Sequence, residues 1–520
     1  MDKYAHQALL QCNSAECSPR PGGICGRPFW NTHSTQFMFS PVLEFKQGPA
    51  GCSYLYTAKD KNGKLYSFKG DSPFASLAPI WGQLPEGFVN LRAEALDSKG
   101  ETIELLGERR FFKCSPFPGR SAYPKKARSY RQCALKALRF VYEDPMVQHW
   151  LIHGTPEPDY PHNAYPSKMI SSIIKAMVYY AKLEPHNAEN ALLLAKKAAD
   201  FLLSITPDED DPLAGLPPTY SFEGLNEESV DKVAPAAKKC LGTTMMIYPV
   251  SAGIGFLTLY NATGEEKYFK AAIRIAQYYK KTVLPCGSWY LLFDSKTGKN
   301  LSENICISYS FVDFFRELYE KTGDEGWHEL EVGHFNYITK VCLDSYKWEG
   351  QFEDVKVSDD YLNLTHFAAD KTIEYISKNY SDNPKWVDEA VQLMRFVEDQ
   401  FVVWGEFPNR YNDPNFKPHL TPAGLEQYYC YWPIDGSTAA IMRAFTCMYT
   451  LTKDRLYLEK AMTLGDTITR VQVEENGKIP TFWIGENCSE GHKNFWINCQ
   501  IGTAFNMLRL ADLTESEETE

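Results

Sequence analysis

Two parts of the chain differ in how their apolar residues are spaced. Residues 1–118 contain short alternating runs such as FMFSPVLEF, CSYLYTAK and GFVNLRAEALDS, which are typical of β-strands. The segments 60–63 and 97–100 each end in glycine, as β-hairpin turns do. We therefore predict an irregular arm over the first 30 residues, followed by a small antiparallel β-sandwich.

From about residue 122 the apolar residues recur at the spacing of amphipathic helices. Three segments in this part, 260–268, 319–327 and 449–457, share the pattern aromatic-x-x-Thr-(Gly or Lys)-acid-x-x-aromatic, and looser copies start near 183 and 380. Each pattern is typical of a helix end, a short turn and the first turn of the next helix. The predicted helices cover 126–142, 166–182, 186–204, 244–260, 265–281, 304–320, 325–341, 361–379, 384–401, 435–451, 455–470 and 497–513.

These twelve helices predict a repeat architecture. Five hairpins are consecutive in sequence, and the first and last helices can pair with each other to close a ring. We expect a mainly α protein with an (α/α)6 toroid of six helical hairpins. An open helical solenoid is the alternative.

The connections between the predicted helices are unequal in length. Those within hairpins span a few residues, whereas those between hairpins are long: 143–165, 205–243, 282–303, 342–360, 402–434 and 471–496. In a closed ring, all the long loops fall on one face and lead into the N-termini of the inner helices. Because helix N-termini favour anions, that face is the predicted site, and it suits a ligand that bears a carboxylate.

Composition excludes several classes of protein. The net charge of −12, from 54 Lys and Arg against 66 Asp and Glu, argues against a nucleic-acid partner. No apolar run is long enough for a membrane span, and the N-terminal segment has no apolar core of a signal peptide. We expect a cytoplasmic protein as the chain stands, or a periplasmic one if a signal was removed, and a homo-oligomer is a further expectation.

Cofactor chemistry is not indicated. The fourteen cysteines contain no C-x-x-C pair, so buried free thiols in a reducing compartment are the favoured interpretation. The sequence has no P-loop, no G-x-G-x-x-G after a strand and no H-E-x-x-H, and its 11 histidines lack metal-ligand spacing. We therefore predict no cofactor and no metal.

The six hairpins, the Tyr-x-x-Thr-Gly-acid turns and the Gly287-Ser288-Trp289 segment resemble the six-hairpin glycosidases and their lyase relatives. The resemblance covers about residues 122–513, and an N-terminal β-sandwich recurs in that superfamily. The Asp-Ala-Gly-Asp motif of its endoglucanases is absent here. The layout is most similar to bacterial enzymes that act on glycans containing uronic acids. It implies a domain of residues 1–118 ahead of a catalytic toroid of residues 119–520.

The string at 348–354 is the most concentrated candidate site. Glycoside hydrolysis needs one protonated and one ionised carboxyl group, and a carboxyl packed against an aromatic ring has a raised pKa. Glu349, Glu353 or Asp354 is expected to supply one catalytic carboxyl, while Trp348 and Gln351 are expected to bind sugar. The alternative is that these acids cap the following helix or bind a structural cation.

Four further segments contribute candidates. Asp435 is either the second carboxyl group or the N-cap of the next helix, and it follows an aromatic run suited to stacking on sugars. His162 has a candidate role as a base. The remaining expected substrate contacts are Tyr165, Lys168, Arg410, Tyr429, Trp432, Trp496 and Asn498, with Lys168 or Arg410 holding a substrate carboxylate.

The sequence thus predicts a glycoside hydrolase that releases a terminal uronic acid, in the manner of a β-glucuronidase, from an oligosaccharide or glycan. A polysaccharide lyase that uses His162 with Tyr165 or Tyr429 is the first alternative. A non-catalytic glycan-binding toroid is the second.

Overall fold

The structure, a computed structural model, describes residues 2–20, 29–358, 360–406 and 420–517. Twelve long helices form the bulk of these residues. They are α3 (Tyr130–Glu143), α5 (Pro166–Leu183), α6 (Ala188–Ser204), α9 (Ile247–Thr263), α10 (Glu266–Thr282), α11 (Ser310–Thr322), α12 (Glu325–Tyr337), α13 (Phe367–Asn379), α14 (Pro384–Phe401), α15 (Asp435–Thr452), α16 (Arg455–Val471) and α18 (Ile497–Glu517).

The other elements are short and lie in the N-terminal part or in the loops. The helices are α1 (Lys3–Asn13), α2 (Ala78–Trp81), α4 (Pro145–His153), α7 (Glu227–Lys232), α8 (Pro235–Lys239) and α17 (Ser489–Lys493). The strands are β1 (Gln36–Phe37), β2 (Val42–Glu44), β3 (Ser53–Lys59), β4 (Leu65–Gly70), β5 (Phe74–Ser76), β6 (Gly87–Leu96), β7 (Thr102–Lys113), β8 (Thr243–Met245), β9 (Leu292–Asp294), β10 (Val402–Val403) and β11 (Ala423–Gly424). Ile338–Leu343 continues α12 as a π-helix.

The repeated turn motif has a structural cause. In the first copy, the Thr263 hydroxyl donates to the Leu259 carbonyl at 2.8 Å and accepts the Glu265 amide at 3.3 Å. The residue between them, Gly264, has the left-handed conformation with φ of 70°. Copies at 322–324 and 452–454 repeat both bonds. The motif therefore ends one helix and starts the next, as predicted.

The ring closes through the first and last long helices. The side-chain amide of Gln500 on α18 donates to the Ala137 carbonyl on α3 at 2.9 Å. On the surface of the same pair, Arg131 bridges to Asp512 at 2.7 Å and to Glu515 at 2.6 Å. The inner helices are α5, α9, α11, α13, α15 and α18, and the other six long helices surround them. The predicted (α/α)6 toroid is confirmed.

The N-terminal part forms a curled five-stranded sheet, with strand order β1-β7-β6-β3-β4. All its pairs are antiparallel except β1 with β7, which is parallel. The predicted β-sandwich is present only in part, because the second layer consists of the β2–β5 pair and the short helix α2. Ile80 and Trp81 of α2 pack into the core under the sheet, where the prediction placed a second sheet.

Two helix starts and the N-terminal arm differ from the prediction. Residues 3–13 form α1, because the Asp2 carboxylate caps it by accepting the Tyr4 amide at 2.8 Å. The helices predicted from 304 and 361 begin at Ser310 and Phe367. The residues before α13 include a turn at 361–363. Bridges with neighbouring loops hold single residues ahead of both helices, such as Ile305 with Tyr290 and Thr365 with Gln427.

Within the described ranges, no helix has the length and apolar character needed to cross a membrane. The same residues contain no cluster of three or more His, Cys, Asp or Glu side chains arranged to hold a metal ion.

The sheet and the toroid meet at the buried carboxyl group of Asp399, the antepenultimate residue of α14. It accepts the Met38 amide at 2.6 Å and the Phe39 amide at 2.8 Å. Burial raises the pKa of Asp399 to about 7. The group is therefore about half protonated near pH 7, and in the fold it acts as a hydrogen-bond acceptor.

This arrangement predicts different effects for two substitutions. Asp399→Ala leaves two buried amides without an acceptor and should lower the free energy of unfolding by about 2–4 kcal/mol. Asp399→Asn keeps an acceptor oxygen and should cost less than about 1 kcal/mol. Thermal unfolding of both variants beside wild type checks this, and equal losses of stability would contradict it.

Candidate active site

A cavity of about 400 Å³ lies where the inner helices begin. All six inner helices contribute to its wall, through residues such as Lys168, Tyr248, Ser310, Lys371, Ser437 and Asn498. The loops that precede α11, α13 and α15 cover the rest of it, through residues such as Gln351 and Glu426. The cavity therefore lies at the long-loop face, where the loop lengths predicted a site.

The N-termini around this cavity differ from those of most outer helices. Among the described residues, no N-cap side chain hydrogen-bonds to the first turn of α5, α9, α11, α13 or α15. The outer helices α3, α12, α14 and α16 each have such a cap, whereas α6 and α10 lack one. Uncapped amides and aligned helix dipoles make the mouth of the cavity favourable for negative groups.

Glu353 lies behind the cavity wall, against the lining residues Lys168 and Tyr248, and is almost fully buried, at 2% exposed. Its carboxylate accepts the Lys168 ammonium at 2.5 Å and the Tyr248 hydroxyl on its other oxygen. The Tyr220 hydroxyl fixes the backbone by donating to the Glu353 carbonyl at 3.0 Å. Although burial opposes its charge, the Glu353 carboxylate raises the pKa of Lys168 above the ordinary lysine value. The two residues form a buried ion pair.

Two more carboxyl groups interact with this pair. Burial, and then the charge of Glu353, raise the pKa of Asp354 to about 6. Burial, and then the charge of Asp354, raise the pKa of Glu426 to about 7. Glu426 lines the cavity, and its carboxylate accepts the side-chain amide of Gln427 at 3.1 Å. The site thus combines a carboxylate held by a cation with two carboxyl groups whose pKa values are raised, and Glu426 is the one that is partly protonated at neutral pH, as acid catalysis requires.

Glu349 and Gln351 also line the cavity, but neighbouring loops occupy their polar atoms. The Glu349 carboxylate accepts the backbone amides of Tyr361 and Asn363. The Gln351 side chain accepts the Ile307 amide at 3.1 Å and donates to the Ile305 carbonyl at 2.7 Å. Both residues hold the loop that carries Glu353 in place.

Asp435 is fully buried and lies behind the cavity wall, although Ile434 and Gly436 on either side line it. It is the first residue of α15, with Ile434 at the N-cap position where the sequence placed Asp435. The Thr503 hydroxyl donates to one oxygen of Asp435 at 3.1 Å. Burial raises the pKa of Asp435 well above the ordinary value. Neither this carboxyl group nor that of Glu353 lines the cavity, and the structure gives no contact between the two.

His162, Tyr165 and Trp496 form a stack beside Lys168. The rings of His162 and Trp496 are 3.7 Å apart at 24°, and the Tyr165 ring lies 5.7 Å from Trp496. The Lys168 ammonium lies 4.6 Å from the Trp496 ring centre. Burial, and then Lys168, lower the pKa of His162 to about 4. The stack packs around Lys168, and the rings contact one another where the sequence predicted contact with a sugar.

The remaining candidates are dispersed. Trp348 has no exposed surface and packs in the core against Tyr346. Tyr429 is 51% exposed, and its hydroxyl lies 3.2 Å from that of Ser358. Asn498 lines the cavity, whereas Trp432 is half-buried outside it. Arg410 lies outside the described residues.

Sequence reasoning missed Glu426, Lys371 and Arg443, all of which line the cavity. Glu426 lies in the long loop before α15, two residues ahead of the aromatic run at 428–432, so an acid at the start of that run was the available signal. Lys371 and Arg443 lie one and two helical turns inside α13 and α15, where an isolated cation in a helix gives no signal of a site.

The chain is similar to known proteins in the course of its backbone and not in its sequence. No protein-family model and no curated protein sequence matches the chain. Among solved structures, the chain is similar to a family 76 glycoside hydrolase from a bovine Bacteroides thetaiotaomicron strain, with 11% identity, 92% of this chain and 100% of that chain covered, and a TM-score of 0.47.

Two other similar structures have different stated activities. One is cellobiose 2-epimerase from Spirochaeta thermophila, with 13% identity, 74% and 98% coverage and a TM-score of 0.47. The other is unsaturated glucuronyl hydrolase from Streptococcus agalactiae, with 11% identity, 75% and 94% coverage and a TM-score of 0.46.

The raised pKa of Glu426 predicts a pH-dependent effect on stability. A carboxyl group whose pKa is higher in the folded than in the unfolded protein binds protons more tightly when folded. Its contribution to stability therefore falls as pH rises from about 4.5 to about 7. Glu426→Gln should raise the unfolding temperature at about pH 8 by a few degrees and have little effect at about pH 4.5.

Glu303→Gln, at an exposed glutamate of a loop on the same face, is the matched control and should show no such pH dependence. A Glu426→Gln effect that is the same at both pH values would contradict the prediction.

Proposed function

We propose that the protein is a carbohydrate-active enzyme that hydrolyses a glycosidic bond and releases a terminal uronic acid from a glycan. The observation that carries the proposal is a group of three interacting carboxyl groups at the long-loop end of the cavity. Glu426 lies on the cavity wall, and Glu353 lies directly behind the wall residues Lys168 and Tyr248. Glu353 is paired with Lys168, while Asp354 and Glu426 have pKa values of about 6 and 7. Lys168 is the cationic partner of Glu353, and burial raises the proton affinity of the two neighbouring carboxyl groups, most of all that of Glu426.

The roles follow from these protonation states. Glu426 or Asp354, as the general acid, donates its proton to the glycosidic oxygen while the bond from that oxygen to the anomeric carbon breaks. Glu353, as the carboxylate, stabilises the positive charge that develops on the sugar ring and assists the attack of water on the anomeric carbon. One water molecule is consumed, its oxygen forms the new hydroxyl group at the anomeric carbon, and its proton restores the acid.

Selectivity for a negatively charged sugar is supported by the surroundings of this group. The net charge of the protein is −12, yet cations line the cavity and uncapped helix N-termini surround it. A carboxylate entering the cavity therefore meets positive potential within an otherwise acidic protein. This pattern supports a uronic acid over a neutral sugar as the substrate.

The lyase alternative lacks comparable support in the described residues. Its proposed base, His162, is stacked face to face on Trp496, and its partner Tyr165 is 2% exposed with a pKa raised by burial. A lyase product would contain a new carbon–carbon double bond that absorbs ultraviolet light, so the two reactions can be told apart in one assay.

The proposal predicts turnover of chromogenic β-glucuronide, with slower or no turnover of the matching glucoside and galactoside. Glu353→Gln and Glu426→Gln should each lower kcat/KM by about 10²–10⁴-fold, the usual loss when an acid or base is removed. Glu303→Gln should leave it unchanged. Wild-type turnover that survives in both cavity variants would contradict these roles, and an ultraviolet-absorbing product would favour the lyase.

The pH dependence tests the assignment of the acid. Since Glu426 loses its proton above about pH 7, kcat/KM should fall about tenfold per pH unit on the alkaline side. Asp354→Asn removes a neighbouring negative charge and should shift that limb to lower pH, because deprotonation of Glu426 becomes easier. Initial rates on the glucuronide between about pH 4 and 9 measure both effects. If the alkaline limb lies at the same pH in Asp354→Asn and in wild type, Asp354 does not influence the pKa of Glu426, and the prediction is wrong.

A further inference from the structure

The inner end of the cavity carries cations, in contrast to the carboxyl groups at its mouth. Lys371 of α13 and Arg443 of α15 both line it. The Lys371 ammonium lies 3.0 Å from the Glu374 carboxylate, and Arg443 lies 3.2 Å from the same carboxylate and 3.4 Å from Asp370. Arg443 is six residues past Ser437, so it lies about 9 Å farther along the ring axis.

Lys175 adds a third cation at this depth. It lies seven residues after Lys168 on the same face of α5, about 10 Å farther along the axis. Because Lys168 lines the cavity, the same face of α5 at Lys175 is directed toward the ring axis, and Lys371 of α13 and Asp313 of α11 act on its ammonium electrostatically. Burial, and then Lys371, lower the pKa of Lys175 to about 8. Among the described residues, none forms a hydrogen bond or ion pair with this ammonium.

The acids near these cations do not balance them. Glu374 accepts ion pairs from four cations, which hold its pKa far below the ordinary value although burial opposes this. In this cluster of described residues, five cations face three acids. The cations are Lys175, Lys371, Lys378, Arg443 and Arg509, and the acids are Asp313, Asp370 and Glu374.

Neutral polar atoms without partners line the cavity at its outer level, in the first turns of α15 and α18. Ser437 is 1% exposed, and its hydroxyl has no hydrogen-bond partner among the described residues. The side-chain carbonyl of Asn498 is likewise unpaired within those residues. Since buried polar groups are nearly always paired, such atoms on a cavity wall indicate a polar ligand with several hydroxyl groups.

We propose that the cations at the inner end, Lys175 and Lys371 with Arg443 beside them, form the subsite for the carboxylate of the substrate's terminal sugar. The inference rests on the proposed function and specifies how the uronic acid is recognised. The sugar ring lies outward of these cations, where Ser437 and Asn498 meet its hydroxyl groups, and its anomeric carbon faces Glu426 on the wall, with Glu353 behind Lys168. Lys168 forms its ion pair with the Glu353 carboxylate. The substrate carboxylate pairs with Lys175, which forms no ion pair with any described acid.

The test is binding of free D-glucuronate beside D-glucose, measured by titration calorimetry on the intact protein. Lys175→Met and Lys371→Met should each weaken glucuronate binding by about tenfold or more and leave glucose binding within about twofold. Lys182→Met, at an exposed lysine on the same helix, should change neither. On chromogenic β-glucuronide, Lys175→Met should raise KM far more than it lowers kcat.

Lys175→Met also removes an unpaired buried charge, so its unfolding temperature should equal or exceed that of wild type, and a folding defect would not explain weaker binding. Equal glucuronate affinity in wild type and both variants would overturn the subsite. The glycosidase proposal would be unaffected, because the turnover assay on β-glucuronide tests it separately. Equal losses of glucose and glucuronate affinity would also overturn it, because the lysines would then shape the cavity without recognising the carboxylate. A wild type that binds glucuronate no better than glucose would overturn it as well.

Discussion

The contact between α3 and α18 is the constraint on which the rest of the structure depends. The buried face of α3 carries Cys133, Ala137, Leu138 and Val141, none of which has exposed surface. The chain buries that face mainly by bringing its last long helix against its first. Closure makes the six inner helices parallel to one another and gathers their N-termini, with the long loops, on one face. The position of the cavity follows from that pairing.

The toroid could be predicted because its signals are local. A threonine, a left-handed residue and an acid define each short turn through hydrogen bonds that span a few residues. The N-terminal part was less predictable, because sheet layers depend on contacts between distant segments. The residues that complete its core include Trp81 of a four-residue helix, which gives no periodic signal. The late starts of α11 and α13 have the same cause, since bridges to other loops hold residues 305 and 365 in extended form.

The roles of single residues in the candidate site also depend on contacts between distant segments, which the sequence does not show. The composition of residues 348–354 predicted a site there, yet these residues have different surroundings in the structure. Trp348 packs in the core, Glu349 binds backbone amides, and Glu353 lies beside a lysine from another helix. What distinguishes Glu426 is a pKa of about 7, which comes from burial beside Asp354. Burial is a product of the tertiary structure, so residue type and spacing alone could not identify this group.

Charge is arranged along the ring axis in two levels, with carboxyl groups at the mouth and cations inside. That order orients a negatively charged sugar with its reactive carbon outward, toward the rest of the glycan. The most direct test of hydrolysis is digestion of uronate-capped oligosaccharides in ¹⁸O-labelled water, followed by mass spectrometry of the released sugar. The account predicts one heavy oxygen at the anomeric carbon of a free uronic acid. An unlabelled sugar with a new double bond would contradict it.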